Sequence, residues 1–206
     1  MKLYMILPLV CSSLQADVDE SETLVSLFNV LTNICASDIF FHDYQSECDG
    51  ALKPEVVQST SVSTHPASSV LTLEEKEGRW ENGTHNYWAA EYQKTEGQGF
   101  TIKLDNCPQV IAGCQIKNVA RGSFSARGTR GFRVSGALDE NGPWKTLVED
   151  ELVDTEGKSA ILRNFTFEEP VEVQFLKFDL ISYWGTNGGG LQFFAAIAAT
   201  CKSLQR

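Results

Sequence analysis

From Phe100 onward the chain repeats a period of two, and this restricts its fold more than any other feature. Phe100-Thr-Ile-Lys-Leu104 alternates apolar and polar residues, as do Phe132-Arg-Val-Ser-Gly-Ala-Leu138 and Val171-Glu-Val-Gln-Phe175. Successive side chains of an extended chain point to opposite faces, so alternation marks strands with one buried and one wet face. Leu176-Lys-Phe-Asp-Leu180 resumes the pattern one residue out of phase, which predicts a β-bulge between Phe175 and Leu176. Turn chemistry separates the runs at Asp105-Asn-Cys-Pro108, Asp139-Glu-Asn-Gly-Pro143 and Glu168-Glu-Pro170. Residues 58–69, rich in small polar side chains, read as an extended edge or loop. The one helical period lies in residues 17–36, where Leu24, Leu27, Phe28, Leu31 and Ile34 share a face behind an acidic start. The pattern predicts an all-β protein: an antiparallel jelly-roll sandwich or barrel of about 150 residues behind a short N-terminal helix.

Residues 1–16 have the three-part form of a secretory signal: Lys2, an apolar run from Leu3 to Cys11, then Ser-Ser-Leu-Gln-Ala. Export is therefore expected, with an extracellular protein as the product. Removing Lys2 with the leader takes the formal charge from −10 to −11 (−10 minus +1). With 17 basic residues against 27 acidic ones, nucleic-acid binding is excluded and broad attachment to anionic lipid is disfavoured. Cys35, Cys48, Cys107, Cys114 and Cys201 remain in an oxidising compartment, an odd number whose pairing the spacing does not fix. Cys35 is the expected odd thiol. No two cysteines have the short spacing of a zinc knuckle. Asn82-Gly-Thr84 and Asn164-Phe-Thr166 are glycosylation sequons, which fits export and surface positions for both asparagines.

Several segments, in order, resemble the discoidin domain, the C-type module of coagulation factors five and eight with a galactose-binding-like jelly-roll fold. Ser63-Thr-His-Pro-Ala-Ser-Ser-Val70 is similar to its opening segment, and Asn86-Tyr-Trp-Ala-Ala90 to its tryptophan segment. Gly99-Phe-Thr-Ile-Lys-Leu-Asp105 is similar to its first long strand, and Gly131 to Leu147 to its hairpin, where an Asp-Gly type of turn leads to a tryptophan. Glu169 to Gly185, followed by a terminal cysteine, resembles its closing strand and loop. The resemblance spans residues 48–201, leaving 17–47 as a helical segment and 202–206 as a tail. It implies a disulfide between Cys48 and Cys201, joining the first and last strands. The chain departs from the family pattern at Lys177 and Gln192, where members often carry arginine, and it lacks the His and Arg set of the fucose-binding branch.

The resemblance also gives Ser182-Tyr-Trp-Gly-Thr-Asn-Gly-Gly-Gly190 a role. The glycines open into Leu191-Gln-Phe-Phe194 without a following Lys-Ser or Lys-Thr, which is unlike a phosphate-binding loop. They are expected in a loop at the barrel end where family members bind sugar or lipid headgroups. Loops containing Thr64-His65-Pro66 and Asn118 to Arg130 should rise beside it. The expected ligand-binding set is His65, Trp80, Arg121, Phe124, Arg127, Arg130, Trp184 and Asn187. Guanidinium forks suit carboxylates and sulfates, and tryptophan faces suit ligands that are part hydrocarbon and part hydroxyl. The competing readings place the arginines in ion pairs with nearby acids and one or more tryptophans in the core; Trp88 is expected there, and Trp144 is expected to pack inward. The sequence has no nucleophile elbow and no His-Glu metalloprotease motif, so no enzymatic activity and no cofactor are expected. Calcium is left open, without an Asp-rich spacing to mark a site. The expected function is recognition of glycans or glycoproteins on the cell surface or matrix. The alternatives are a structural protein that self-associates through its N-terminal helix and an unpaired cysteine, and a phospholipid-binding module whose Phe124 inserts into the membrane.

Overall fold

The computed structural model describes residues 52–73, 85–120, 126–155 and 160–199. The leader, the N-terminal helix, Cys35, Trp80, Asn82, Arg121, Phe124 and the Cys48–Cys201 pair lie outside the described residues. Among the described residues, nine strands form two antiparallel sheets: β1 Glu55–Ser59, β2 Trp88–Ala89, β3 Gly99–Lys103, β4 Gln109–Asn118, β5 Gly131–Ala137, β6 Lys145–Glu151, β7 Leu162–Val173, β8 Phe175–Leu180 and β9 Gly190–Ala198. One sheet has the order β1-β3-β8-β5-β6 and the other β2-β9-β4-β7. A 3₁₀ turn, Ala67–Leu71, follows β1. This is the two-sheet sandwich expected from the alternation.

The alternating residues form the core between the sheets. Phe100 and Ile102 of β3, Phe132 and Val134 of β5, and Leu176 and Phe178 of β8 are all buried, whereas Lys103, Arg133 and Lys177 point outward. Phe178 is the hub of an aromatic stack, with ring centroids 5.0 Å from Phe100, 5.8 Å from Phe132 and 5.9 Å from Trp88. Trp88 is fully buried, as expected, and its indole N–H donates to the Thr60 carbonyl at 2.6 Å. Trp144 is only half-buried, and Gly142 (φ +94°) brings the chain close against its ring.

The expected bulge at Phe175 is a change of sheet. β7 ends at Val173 in the four-stranded sheet, and after Gln174 the chain enters β8 in the five-stranded one. Gln174 is held at the crossing, its N–H donating to the Ala137 carbonyl and its carbonyl accepting from Leu104 N–H, both at 2.9 Å. Crossing to the facing sheet reverses which side of the chain looks into the core, and this shifts the alternation by one residue. Register shifts lie instead in β1 at Val56/Gln58, in β4 at Ile111/Gly113 and Lys117/Asn118, and in β5 at Val134/Ser135.

Cys107 is disulfide-bonded, and because Cys114 is free its partner lies outside the described residues. Cys114 is fully buried on β4, and burial pushes its thiol up to about 12. Among the described residues Cys114 is the free thiol; Cys35, to which the sequence assigns that role, lies outside them.

Candidate functional site

Four connections between the sheets, β2–β3, β4–β5, β6–β7 and β8–β9, emerge at the same end of the sandwich. β1 also ends there, through the pairing of Ser59 with Phe100. This end therefore carries the longest irregular segments on a base of paired strands, the usual setting for a binding surface.

His65 enters from the segment after β1. Its Nδ1 lies 2.8 Å from Thr64 Oγ1 and its Nε2 lies 2.9 Å from the Tyr87 hydroxyl. Tyr87 is buried beside β2, with Ala89 and Val119 packed around it. Arg127, from the β4–β5 loop, is half-buried and donates from Nη1 to the Ala90 carbonyl at 2.6 Å. Desolvation lowers its affinity for the proton, an effect that nearby Tyr87 and Tyr92 partly offset. Tyr92 projects from the β2–β3 loop and is 60% exposed, the aromatic side chain most open to solvent at this end among the described residues.

The glycine loop ties these segments together. The Gly188 carbonyl accepts from Gly128 N–H at 3.3 Å, and the Asn187 carbonyl accepts from Gln93 N–H at 3.4 Å. The Ala126 carbonyl accepts from the N–H groups of Thr186 and Asn187 at 3.2 and 3.3 Å. Gln93 has φ +56°, uncommon for a residue with a side chain, and its Nε2 also donates to the Thr186 carbonyl at 3.2 Å. Gly188 (φ +111°) is buried, and a Cβ there would stand 3.1 Å from the Glu91 carbonyl oxygen and 3.3 Å from Arg127 Nη1. Asn118 anchors the base of the β4–β5 loop: its Oδ1 accepts from Val119 and Thr129 N–H at 2.9 and 3.0 Å, and its Nδ2 donates to the Thr129 carbonyl at 2.8 Å.

The structure thus brings His65, Arg127, Trp184 and Asn187 to one end, together with Arg130. Arg130 and Trp184 have structural engagements there. Trp184 is half-buried, and its indole N–H donates to the Leu152 carbonyl at 2.9 Å. The Arg130 guanidinium lies 4.8 Å from the Trp184 ring and pairs with Glu151 at 3.2 Å. Tyr87, Tyr92, His85 and Gln93 belong to the site but were not in the predicted set. Alternation through His85-Asn-Tyr87-Trp88 carries the signal for two of them: with Trp88 in the core, His85 and Tyr87 fall on the opposite side. Imidazole, phenol, guanidinium and amide groups supply donors, acceptors and ring faces suited to a ligand rich in hydroxyls. Among the described residues no group of three or more His, Cys, Asp or Glu side chains could hold a metal ion.

No family model matches the sequence, and no curated protein matches it. Solved structures match by shape. The family 32 carbohydrate-binding module of NanJ from Clostridium perfringens, solved with galactose, superposes with a TM-score of 0.50 at 14% identity, covering 71% of this chain and 93% of that one. CBM32-1 from a family 31 glycoside hydrolase of Clostridium perfringens gives 0.52 at 11%, covering 75% and 99%. The fold is a galactose-binding-like jelly roll. The same jelly roll matches allantoicase from Saccharomyces cerevisiae, with a TM-score of 0.51 at 13% identity, over 71% of this chain but only 40% of the enzyme's. At these identities the likeness is one of fold, and it agrees with the discoidin resemblance.

Proposed function

We propose that this chain is an exported, non-catalytic recognition module that binds carbohydrate at the loop end of its jelly roll and acts in adhesion or recognition outside the cell. The observation that carries this reading is the convergence of His65, Tyr87, Arg127 and Asn187 beside the exposed ring of Tyr92. An aromatic face stacks on the apolar side of a sugar ring, while an oriented guanidinium, imidazole and amide meet its hydroxyls. The galactose bound to the NanJ module, which has the same fold, supports this ligand class. A glycan array probed with the full chain, with and without calcium, tests the proposal. Retention of a defined glycan set, lost in Tyr92→Ala and Arg127→Gln with unchanged thermal unfolding, is expected. No retention under either condition overturns it. Binding to phospholipid vesicles but to no glycan would favour the membrane alternative.

Export also implies modification at Asn164. Asn164 and Thr166 both lie on the exposed face of β7, the edge strand of its sheet, while Phe165 between them is buried. The Asn164 side chain is engaged only at the surface, its Oδ1 accepting from Gln115 Nε2 at 3.0 Å. A glycan there would project away from the core and cover a sheet edge. Mass analysis of secreted protein before and after enzymatic deglycosylation should show a shift that Asn164→Gln reduces.

A further inference from the structure

A second concave surface lies on the outer face of the five-stranded sheet. It is a groove of about 430 Å³ between Gln58 and Thr60, at the end of β1, and Lys177 and Asp179 of β8, with Gly99 and Thr101 of β3 as its floor. The register explains the hollow. Thr101 pairs with Gln58 on one side and Lys177 on the other, and Gly99 pairs with Asp179. Because Phe100 and Ile102 point into the core, Gly99, Thr101, Lys177 and Asp179 share the outer face. Gly99 has no room for a side chain, since a Cβ would meet the Phe178 carbonyl oxygen, so no side chain of β3 rises between Thr60 and Asp179. The β1 wall is held in place: Thr60 Oγ1 accepts from Gly99 N–H at 2.9 Å, and its O–H faces the Gly99 and Gly97 carbonyls at 3.2 and 3.3 Å. On the β8 wall, the partly exposed Lys177 Nζ and Asp179 Oδ1 lie 3.1 Å apart.

We propose that this groove is a second ligand site, one that takes the vicinal diol of a neutral sugar. The Lys177 ammonium has three N–H donors and its bond to Asp179 uses one, while the Asp179 carboxylate keeps further acceptor positions. Donors and acceptors therefore stand side by side. Two adjacent hydroxyls match them, one accepting from Lys177 and the other donating to Asp179, and hydrogen bonds to charged partners are the stronger kind. The pair carries no net charge: an anion meets Asp179 and a cation meets Lys177, whereas a neutral ligand meets neither repulsion. Neighbouring charges on the same face are paired, Lys103 with Glu55 at 3.8 Å and Arg133 with Glu149 at 2.7 Å. The exposed Gln58 amide adds a donor and an acceptor from the opposite wall. The Phe100 ring is turned into the core, so the groove holds a ligand by its polar edge, where the loop end offers the face of Tyr92. This site stands on its own residues and not on the carbohydrate reading of the loop end. With both in place, one chain engages two sugars, and a glycan-dense surface retains it better than either site alone.

The test is a titration of the full chain, followed through its backbone amide resonances by NMR, with three probes: galactose, which carries a vicinal diol; cyclohexanol, which carries a single hydroxyl; and acetate, an anion. Galactose should shift residues 58–60, 99–101 and 177–179 and saturate below roughly 100 mM, about a hundredfold above a millimolar Kd. Lys177→Gln and Asp179→Asn should each weaken that response about tenfold, as expected when a charge-assisted hydrogen bond becomes a neutral one. Both should leave thermal unfolding nearly unchanged, because the ion pair is solvent-exposed, and should leave galactose shifts at Tyr92, Arg127 and Asn187 in place. No shift in the groove, equal shifts with cyclohexanol or acetate, or a full response in both variants overturns the proposal. If the variants do not fold, the three probes on wild type decide it: a response to galactose alone supports the site and any other pattern refutes it. Groove shifts without shifts at Tyr92, Arg127 and Asn187 sink the loop-end reading and leave the groove standing, and the reverse pattern sinks the groove alone.

Discussion

Replacing Gly188 with alanine tests whether the loops at the candidate site are interlocked, and Gly97→Ala provides its control. Both glycines have positive φ, +111° and +67°, and both lie in connections at the same end of the jelly roll. They differ in their surroundings. A Cβ at Gly97 would meet nothing within 4 Å, whereas one at Gly188 would stand 3.1 Å from the Glu91 carbonyl, 3.3 Å from Arg127 Nη1 and 3.4 Å from Gln93 N. Alanine at position 97 carries only the left-handed backbone cost of about 1 kcal/mol. Alanine at position 188 carries backbone strain of about 1–3 kcal/mol, and the three neighbours must also give by a few tenths of an ångström, so about 3 kcal/mol is expected in all. The gain from restricting the unfolded chain is the same for both and cancels in the comparison. With a urea m-value of about 2 kcal/mol/M, the midpoint should fall by about 0.5 M in Gly97→Ala and about 1.5 M in Gly188→Ala. Followed by tryptophan fluorescence, equal midpoint shifts would refute the interlock. So would unchanged glycan binding in Gly188→Ala, because Glu91, Gln93 and Arg127 could not then have moved.

Asn118→Ala removes one buried side chain that satisfies three backbone groups, so it should cost about 3 kcal/mol in urea unfolding, most of it from groups left unpaired. Arg130→Ala should cost no more than about 1 kcal/mol and leave glycan binding intact, because its ion pair with Glu151 is solvent-exposed and its guanidinium covers a tryptophan already bonded to Leu152. Loss of binding without loss of stability would instead make Arg130 a ligand contact. The thiol of Cys114 adds a pH dependence of fixed sign. From its ordinary value of 9.0 up to about 12 the unfolded chain ionises there and the native chain does not, so stability present below 9.0 declines as pH rises through that window. Denaturant midpoints should decline less steeply above 9.0 in Cys114→Ala, and a disulfide reagent should reach Cys114 in wild type only at the rate of unfolding.

The strands were legible where one face is buried and the other wet. β3, β5 and β8 alternate because their outer faces carry Lys103, Arg133 and Lys177, while Phe100, Phe132 and Phe178 fill the core. β9 reads as an apolar run without alternation because Leu191, Phe193 and Phe194 are all buried, which leaves its faces indistinguishable in sequence. The change of sheet at Gln174 produces the same phase slip as a bulge, and only the hydrogen bonds of Gln174 to Ala137 and Leu104 separate the two. At the site, His65 and Arg127 were legible because short motifs in the loops carry them. Tyr92 and Gln93 were not. Gln93 is placed by contacts with Thr186 and Asn187, more than 90 positions away, and Tyr92 by its bond to Gln93, which no local pattern encodes.

The same long-range contacts explain how a loop end can be rigid enough to bind a small ligand. Loops lose conformational entropy on closing around a ligand unless they are already fixed. Among the described residues, the β2–β3 loop is fixed twice. Its strand ends rest on the aromatic core, where Trp88 joins Phe100 and Phe178 and also holds the Thr60 carbonyl at the start of the His65 segment. Its tip bonds to a neighbouring tip, as Gln93 does to Asn187 and Arg127 to Ala90. Removing either support alone should loosen the site in a different way. Trp88→Phe keeps the ring contacts but loses the bond to Thr60, so it should displace the His65 segment while leaving the Gln93–Asn187 tie in place. Amide shifts confined to residues 60–66 and their neighbours are the expected result, whereas shifts spread over residues 184–190 would mean that the core, and not the ties between tips, holds the whole loop end together.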